Sequence, residues 1–296
     1  MINKNLLNKD GLTEEEFLKN YKPGDYERPS VTVDMLIFTT VDKVSENVKK
    51  LDEKELKILL IKRKDHPYIG QWALPGGFVD MQESLDEAAY RELKEETNIE
   101  NVYMEQLATF GEPKRDPRMR VISTAYMALV PSNNLNPIAG DDAEDVAWFT
   151  VTKSAIGKNK NILRLENEEK NAVIEYEIIE KHFKKGFSTV SKSEYKLVKT
   201  SPDAIAFDHY EEIDMALERL KNKIEYTSIA FNLVREYFTI AEIQTVYETI
   251  LGRKLHRMNF MRKMKGKIEE TDMVCNEKAH RPAKYYKLKE DWASIF

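Results

Sequence analysis

Apolar residues recur at two different periods along this chain. Residues 32–39 and 57–63 are short runs rich in Val, Ile and Leu and predict strands. The charged stretch between them, 41–55, predicts a loop. Within residues 72–79 the run Leu74-Pro75-Gly76-Gly77 signals a turn. Residues 84–97 change to a helical period: Leu85, Ala89 and Leu93 stand at i, i+4 and i+8, and Ser84 with Glu87 has the form of a capping box. Residues 120–130 and 146–151 predict further strands. Residues 156–200 are strongly charged, with short alternating stretches at 173–179 and 195–198, and read as an excursion of hairpins and loops. Residues 207–224 form a second amphipathic helix with Ile213, Leu217, Leu220 and Ile224 on one side.

The texture changes after Glu225. Residues 231–237 suggest a short helix. Thr239 and Glu242 offer another capping box, followed by Ile243, Val246, Tyr247 and Ile250 at helical spacing, with Gly252 suited to end the helix. Residues 255–265 predict a third helix, and 268–274 and 284–288 two strands about a polar tip. Helix, helix, turn, helix, hairpin is the order of a winged helix-turn-helix. The expected division is 1–225 and 226–296, with residues 207–225 as a linking helix.

At 296 residues the chain has room for two domains, and 42% hydrophobic residues supply a core without disulfides or a structural metal. The lone cysteine, Cys275, cannot bridge within the chain, and no Cys/His pattern has zinc spacing. The first twelve residues are polar and lack the apolar segment of a signal peptide, and no apolar run spans a bilayer. These features predict a cytoplasmic protein with no membrane partner. The net charge of −5 is unevenly spread: residues 252–290 hold twelve Lys/Arg against five Asp/Glu. An acidic body with a basic C-terminal piece suggests two tasks.

The strongest chemical signal lies in residues 77–99, GFVDMQESLDEAAYRELKEETNI. Gly77, Glu83, Arg91, Glu92, Glu95 and Glu96 as six fixed positions have a joint chance on the order of 10⁻⁷ per frame. Glu92, Glu95 and Glu96 share a helical face, where three carboxylates repel one another unless a cation neutralises them. Crowded hard oxygens suit Mg²⁺ or Mn²⁺. Gly76 and Gly77 remove Cβ atoms where backbone approaches an anion, and Arg91 can hold Glu83 through a bidentate pair. A solvated acidic face would show the three glutamates without the Leu-Pro-Gly-Gly entry. Asp141, Asp142 and Glu144 are a second acidic group, open to reading as a general base or as a solvated turn. His66 is open to reading as a surface loop residue or a phosphate contact, and His209, beside Asp208 at a helix start, reads as a local capping or packing residue.

This segment resembles the Nudix box, G-x5-E-x7-R-E-U-x-E-E-x-G-U, where U is a bulky aliphatic residue. Every position matches except the second glycine, where Asn98 stands, the next best residue for a left-handed helix end. Residues 68–79, the stretch TFGEPKRDPRM at 109–119 with its Pro113, and residues 139–143 and 206–209 resemble ADP-ribose-directed Nudix domains. Together with the C-terminal pattern, residues 26–290 resemble NrtR-type regulators. The resemblance implies an α/β (α+β) protein: a Nudix α/β/α sandwich with a mixed sheet, then a winged helix-turn-helix. It also implies a homodimer that takes ADP-ribose or a related nucleoside diphosphate derivative and binds a double-stranded DNA operator of NAD or sugar metabolism genes.

Site residues follow from both readings. Arg91, Glu92, Glu95 and Glu96 are expected to be catalytic. Glu92, Glu95, Glu96 and Gly76 are expected to hold Mg²⁺ or Mn²⁺, with Glu83 and Asn98 structural. Gly76, Gly77, Phe78, Arg63, Lys114, Arg115 and Arg118 are expected to face the substrate. In the basic segment Phe260 and Met264 would be core, leaving Arg257, Asn259, Arg262, Lys263 and Lys265 outward, with Arg281 and Lys284 at the wing, for DNA. Three functions remain open at this point: a regulator that also hydrolyses ADP-ribose, a non-catalytic sensor and transcription factor, and a plain hydrolase whose C-terminal part mediates association.

Overall fold

The computed structural model describes residues 6–43, 53–98, 102–131, 143–198, 203–275 and 283–293. Strand β1 (Ser30–Asp42) pairs with β2 (Lys54–Arg63) antiparallel and with β6 (Val121–Leu129) parallel, so the sheet is mixed. The remaining strands are β3 (Trp72–Ala73), β4 (Gly76–Phe78), β5 (Tyr103–Phe110), β7 (Ala143–Gly157), β8 (Lys160–Asn167), β9 (Ala172–Lys185) and β10 (Ser188–Leu197). Their order is β10-β9-β8-β7-β2-β1-β6-β5, with β3 on β2 and β4 on β1.

The sheet separates two helices, because its central strands are apolar on both sides. Along β1, Val33, Met35 and Ile37 alternate with Leu36 and Phe38. The first set packs with Ala88, Ala89 and Leu93 of helix α2 (Leu85–Thr97). The second shares a core with Ile213, Ala216 and Leu220 of α3 (His209–Lys223). A short α1 (Glu14–Asn20) precedes the sheet, capped by a reciprocal Thr13–Glu16 box. α3 starts later than its periodicity suggests, because Phe207 has φ +54° and cannot be helical.

Hairpins do occupy the charged excursion, but its strands are long and leave little loop. β7 runs on to Gly157, and Leu163, Leu165, Ile174, Tyr176 and Ile178 are buried at a period of two. Charged outward partners such as Arg164, Glu175 and Glu177 obscured that period in the sequence. β5 had no counterpart among the expected strands, since only Leu107 along it is buried.

The C-terminal part is a winged helix. It comprises β11 (Phe238–Thr239), α4 (Ile240–Leu251), α5 (Arg257–Met264), β12 (Ile268–Cys275), β13 (Ala283–Leu288) and α6 (Glu290–Ala293). Thr239 and Glu242 cap α4 reciprocally, and Gly252 ends it at φ +66°. The helix expected at 231–237 is instead a single 3₁₀ turn, Ile229–Leu233, leading into β11, which pairs with β13. Its buried Ile229, Phe231 and Leu233 are packing residues, not one side of an α-helix. Among the described residues no helix is long and apolar enough to cross a membrane.

Sheet and winged helix share one unbroken hydrophobic cluster, from Leu36 and Phe149 through Leu220 and Ile224 to Tyr247 and Met264. The Thr249 hydroxyl also donates to the Lys54 carbonyl at 3.1 Å. Leu220 lies fully buried within that cluster. Leu220→Ala should cost about 2–5 kcal/mol, and denaturant unfolding should remain a single transition shifted as a whole. Separate transitions for sheet and winged helix, only one of them shifted, would show the two parts to be energetically independent.

Candidate functional site

Helix α2 is fixed at both ends by its own sequence. The Ser84 hydroxyl accepts the Glu87 N–H, and the Glu87 carboxylate accepts the Ser84 N–H at 2.7 Å. Asn98 closes the helix at φ +53°, its N–H donating to the Lys94 carbonyl, so asparagine takes the left-handed conformation in place of glycine. This rigid platform presents the charged positions of the box.

Arg91 organises them. Its Nη2 and Nε donate to the two Glu83 oxygens at 2.8 and 3.1 Å, the expected bidentate pair. Its Nη1 reaches Glu92 at 2.7 Å and Glu95 at 3.4 Å, and Nη2 also donates to the Phe78 carbonyl. Glu83 in turn accepts the Asp80 N–H, which ties the preceding loop to the helix. Hydrogen bonding to Glu83, with further help from Glu92, holds the Arg91 charge firmly on. Glu92 and Glu96 are buried while Glu95 is exposed, so the three carboxylates do not share one environment. Burial raises the Glu92 carboxyl above its ordinary value, against the pull of Arg91.

Close approach requires glycine at position 76, where the neighbour is backbone, and at position 77 lets the Glu92 carboxylate lie against the turn. A Cβ on Gly77 would lie 2.2 Å from the Glu92 Oε1, and one on Gly76 would lie 2.2 Å from the Val33 carbonyl oxygen. The anion that Gly77 admits is thus the protein's own carboxylate. That cradle, two buried glutamates and one exposed glutamate form an oxygen-rich site of the chemistry that holds Mg²⁺ or Mn²⁺.

A second charged cluster lies inside the protein and was not expected. Asp34 stands in the middle of β1, with Asp208, His209 and Glu212 at the start of α3. Arg115 enters from the loop after β5. Its guanidinium donates to Asp208 at 2.7 and 2.9 Å, to Glu212 at 2.7 Å and to Asp34 at 3.3 Å. Burial works against the Arg115 charge, but Asp208, Asp34 and Glu212 more than offset it. Glu212 is pushed well above its ordinary value by burial and then by Asp34, whose carboxylate also accepts the Ser123 hydroxyl. His209 accepts the Leu74 N–H at Nδ1, so a neutral ring carries its proton on Nε2, 3.8 Å from Asp34. Burial lowers the His209 pKa. Asp34, His209 and Glu212 place three ligand-type atoms within 4.8 Å of one another, a grouping able to hold a cation; in this arrangement the Arg115 guanidinium supplies the positive charge.

The expectation that Arg115 faces a ligand is therefore corrected. Its side chain is 5% exposed and committed to three carboxylates. The other substrate-facing residues are placed differently. Phe78 is exposed, with the Arg118 guanidinium 5.7 Å above its ring and held by Asp116. Lys114 is exposed on the same loop. Arg63 donates to the Pro67 carbonyl and lies 5.1 Å from the Phe207 ring. Asp34 and Glu212 escaped the sequence reading, although each left a signal. Asp34 interrupts an apolar run, and Glu212 falls in an i, i+4, i+8 row with Ala216 and Leu220.

On the winged helix, Phe260 and Met264 are buried as expected, and Arg257, Asn259, Arg262 and Lys265 are exposed. Arg262 donates to the Asn259 side chain at 2.6 Å. Lys263 does not point outward: its ammonium meets Glu225 at 2.6 Å and lies 5.1 Å from the Tyr247 ring. Its contact with the Tyr247 ring sets Lys263 on the side of α5 that faces α4. Lys284 pairs with Glu270 across the wing strands. Arg281, and Asp141 and Asp142 of the acidic loop, lie outside the described residues.

A mixed sheet between two helices, with this box on one of them, defines the Nudix (MutT) class. The NUDIX domain family matches residues 43–168, and the NrtR DNA-binding winged helix domain matches residues 230–288. The chain is 32% identical over 280 residues to the "ADPR responsive transcriptional repressor NtrR" of Acinetobacter baylyi, covering 93% of this chain and 88% of that protein. It is 41% identical over 134 residues to an ADP-ribose pyrophosphatase of Methanocaldococcus jannaschii, covering 45% of this chain and 68% of that enzyme. Shewanella oneidensis NrtR complexed with a 27mer DNA superposes with a TM-score of 0.59 at 28% identity, over 89% of this chain and 95% of that one. The chain belongs to the family of Nudix proteins that carry an NrtR-type winged helix.

The buried cluster makes two substitutions diverge. Arg115→Ala leaves Asp34, Asp208 and Glu212 without their counter-charge and should destabilise the fold by about 3–5 kcal/mol, read by chemical denaturation; a loss under about 1 kcal/mol would show that the cluster relaxes around water. Glu212→Gln should behave otherwise. Because folding raises the Glu212 pKa, its stabilising contribution is complete below the unfolded value near 4.5 and is lost as pH rises through the folded value. Glutamine keeps an acceptor for Arg115 and removes that titration. The stability of Glu212→Gln relative to wild type should therefore increase with pH above 4.5, and a difference in melting temperature that is flat with pH would contradict this assignment.

Proposed function

We propose that this protein is a cytoplasmic, ADP-ribose-responsive DNA-binding regulator that also hydrolyses ADP-ribose to AMP and ribose 5-phosphate. The observation that carries the hydrolytic part is the Arg91 clamp: one guanidinium fixes Glu83 and Glu92 beside Gly77, leaving Glu92, Glu95 and Glu96 on one face of a capped helix. Likeness to an ADP-ribose pyrophosphatase and to an ADP-ribose-responsive repressor supports the same substrate and the same double role.

In this reading residues 1–225 form the Nudix domain and residues 226–296 the DNA-binding domain of a homodimer. Glu92, Glu95, Glu96 and the Gly76 carbonyl would hold Mg²⁺ or Mn²⁺, which would supply Lewis-acid activation of a phosphoryl group and of water. Arg91 keeps Glu92 and Glu95 oriented and balances their charge. Phe78 and Arg118 offer an aromatic face and a cation to the ligand, with Lys114 on the same loop and Arg63 reached from β2. Asn98 and Glu83 hold the helix and its loop in place. Arg257, Asn259, Arg262 and Lys265 present donors to an operator duplex, and Arg281 and Lys284 belong to its wing contacts.

The test is direct. With Mg²⁺ or Mn²⁺ the purified protein should convert ADP-ribose to AMP, and Glu96→Gln should slow this by about 10²-fold while leaving binding intact. ADP-ribose added to Glu96→Gln, where it is consumed slowly, should release bound DNA. Binding without any AMP, at every divalent metal, would make the protein a non-catalytic sensor; DNA affinity indifferent to saturating ADP-ribose would sink the regulatory half.

A further inference from the structure

Glu225 is placed where its own helix disfavours it. It follows Ile224 at the C-terminal end of α3, where helix carbonyls already gather negative charge. The turn that holds it is tight: the Thr227 hydroxyl and N–H both donate to the Lys223 carbonyl. Two cations compensate, and both come from the winged helix. Lys263 of α5 meets one carboxylate oxygen at 2.6 Å, and Arg253, just past the end of α4, meets the other at 3.4 Å. Lys263 also rests 5.1 Å from the Tyr247 ring. Arg253 precedes α5 and Lys263 lies within it, on the same helix as the exposed Arg257 and Arg262, with exposed Lys265 just past its end. One pair of anionic oxygens gripped by a lysine and an arginine is the arrangement a backbone phosphate offers to the edge of a DNA-binding surface.

We propose that Glu225 is an internal stand-in for a DNA phosphate: it withholds Lys263 and Arg253 from the duplex, and tight binding requires that backbone phosphates replace this carboxylate. The inference rests on the DNA-binding reading above and adds the device that limits it. Its setting makes it adjustable. Glu225 continues directly from α3, whose first turn is held to the Nudix sheet by Asp208 and Glu212 through Arg115. A small displacement of α3 therefore moves the carboxylate relative to Lys263 and Arg253, and changes how many cations the winged helix has free.

The count of cations engaged by DNA is measurable, because each phosphate neutralised steepens the dependence of log K on log salt by about 0.9. Full-length protein is titrated onto a mixed-sequence duplex of about 30 base pairs, long enough for backbone charge to govern binding, across a salt series. Glu225→Gln should bind more tightly than wild type, with a slope steeper by about one to two. Glu225→Asp should keep the wild-type slope. Lys263→Gln should weaken the Glu225→Gln protein far more than it weakens wild type, since only in the former is Lys263 free for phosphate. If Glu225→Gln leaves the slope unchanged, or makes it shallower, Glu225 withholds nothing and the proposal falls. Additive effects of Glu225→Gln and Lys263→Gln would overturn it equally. Absence of DNA binding by wild type at any salt would be a different failure, that of the DNA-binding reading itself.

Discussion

Arg115 brings one positive charge into a compartment that contains three carboxylates, and the relation of α3 to the sheet depends on that balance. Asp34 belongs to β1, whereas Asp208 and Glu212 belong to the first turn of α3. Without the guanidinium, these acids would repel one another whenever they are ionised together, in a region with little water to screen them. With it, the strand carrying Asp34, the loop carrying Arg115 and the helix leading to the winged helix are held at one point. His209 adds a fixed contact by accepting the Leu74 N–H, next to the glycine turn that borders α2. The ionic cluster and the α2 site are therefore neighbours through β1 and its partner β4, not remote features of the molecule.

The α2 site solves a similar electrostatic problem differently. There the arginine is part-exposed and reaches Glu83, Glu92 and Glu95 from one side. At Arg115 the three acids converge on the guanidinium. Under the proposed function the same residue types yield a ligand site in one place and a structural clamp in the other. What separates them is how many carboxylates approach the arginine from opposite elements of the fold.

That difference explains what was legible in the sequence. The box could be read because its residues lie within one helix and its entry turn, where spacing fixes geometry. Ser84 and Glu87, the bidentate Glu83–Arg91 pair and the left-handed Asn98 are all local, and all follow from a single short segment. The role of Arg115 could not be read in the same way, because its partners lie 81 to 97 residues away along the chain. A positive charge in a polar loop looks exposed until the fold is known. Lys263 misled for a related reason: helical spacing gives its direction on α5, but its partner Glu225 is 38 residues distant and belongs to another element. In the 156–200 excursion the buried alternation was present, but the outward charges outweighed it.

The hydrophobic cluster that runs from the sheet through Leu220 and Ile224 into α4 also constrains how such a protein can be recombined. A grafted winged helix cut at the apparent boundary near residue 226 would carry Ile229, Phe231, Val246 and Ile250 without the helix they pack against. The smallest portable unit includes α3, and α3 includes Asp208 and Glu212, which need an arginine in the recipient. Exchange of sensing modules between such chains would therefore succeed most readily among donors that already supply a guanidinium at this buried position, a restriction on ancestry written in side-chain charge.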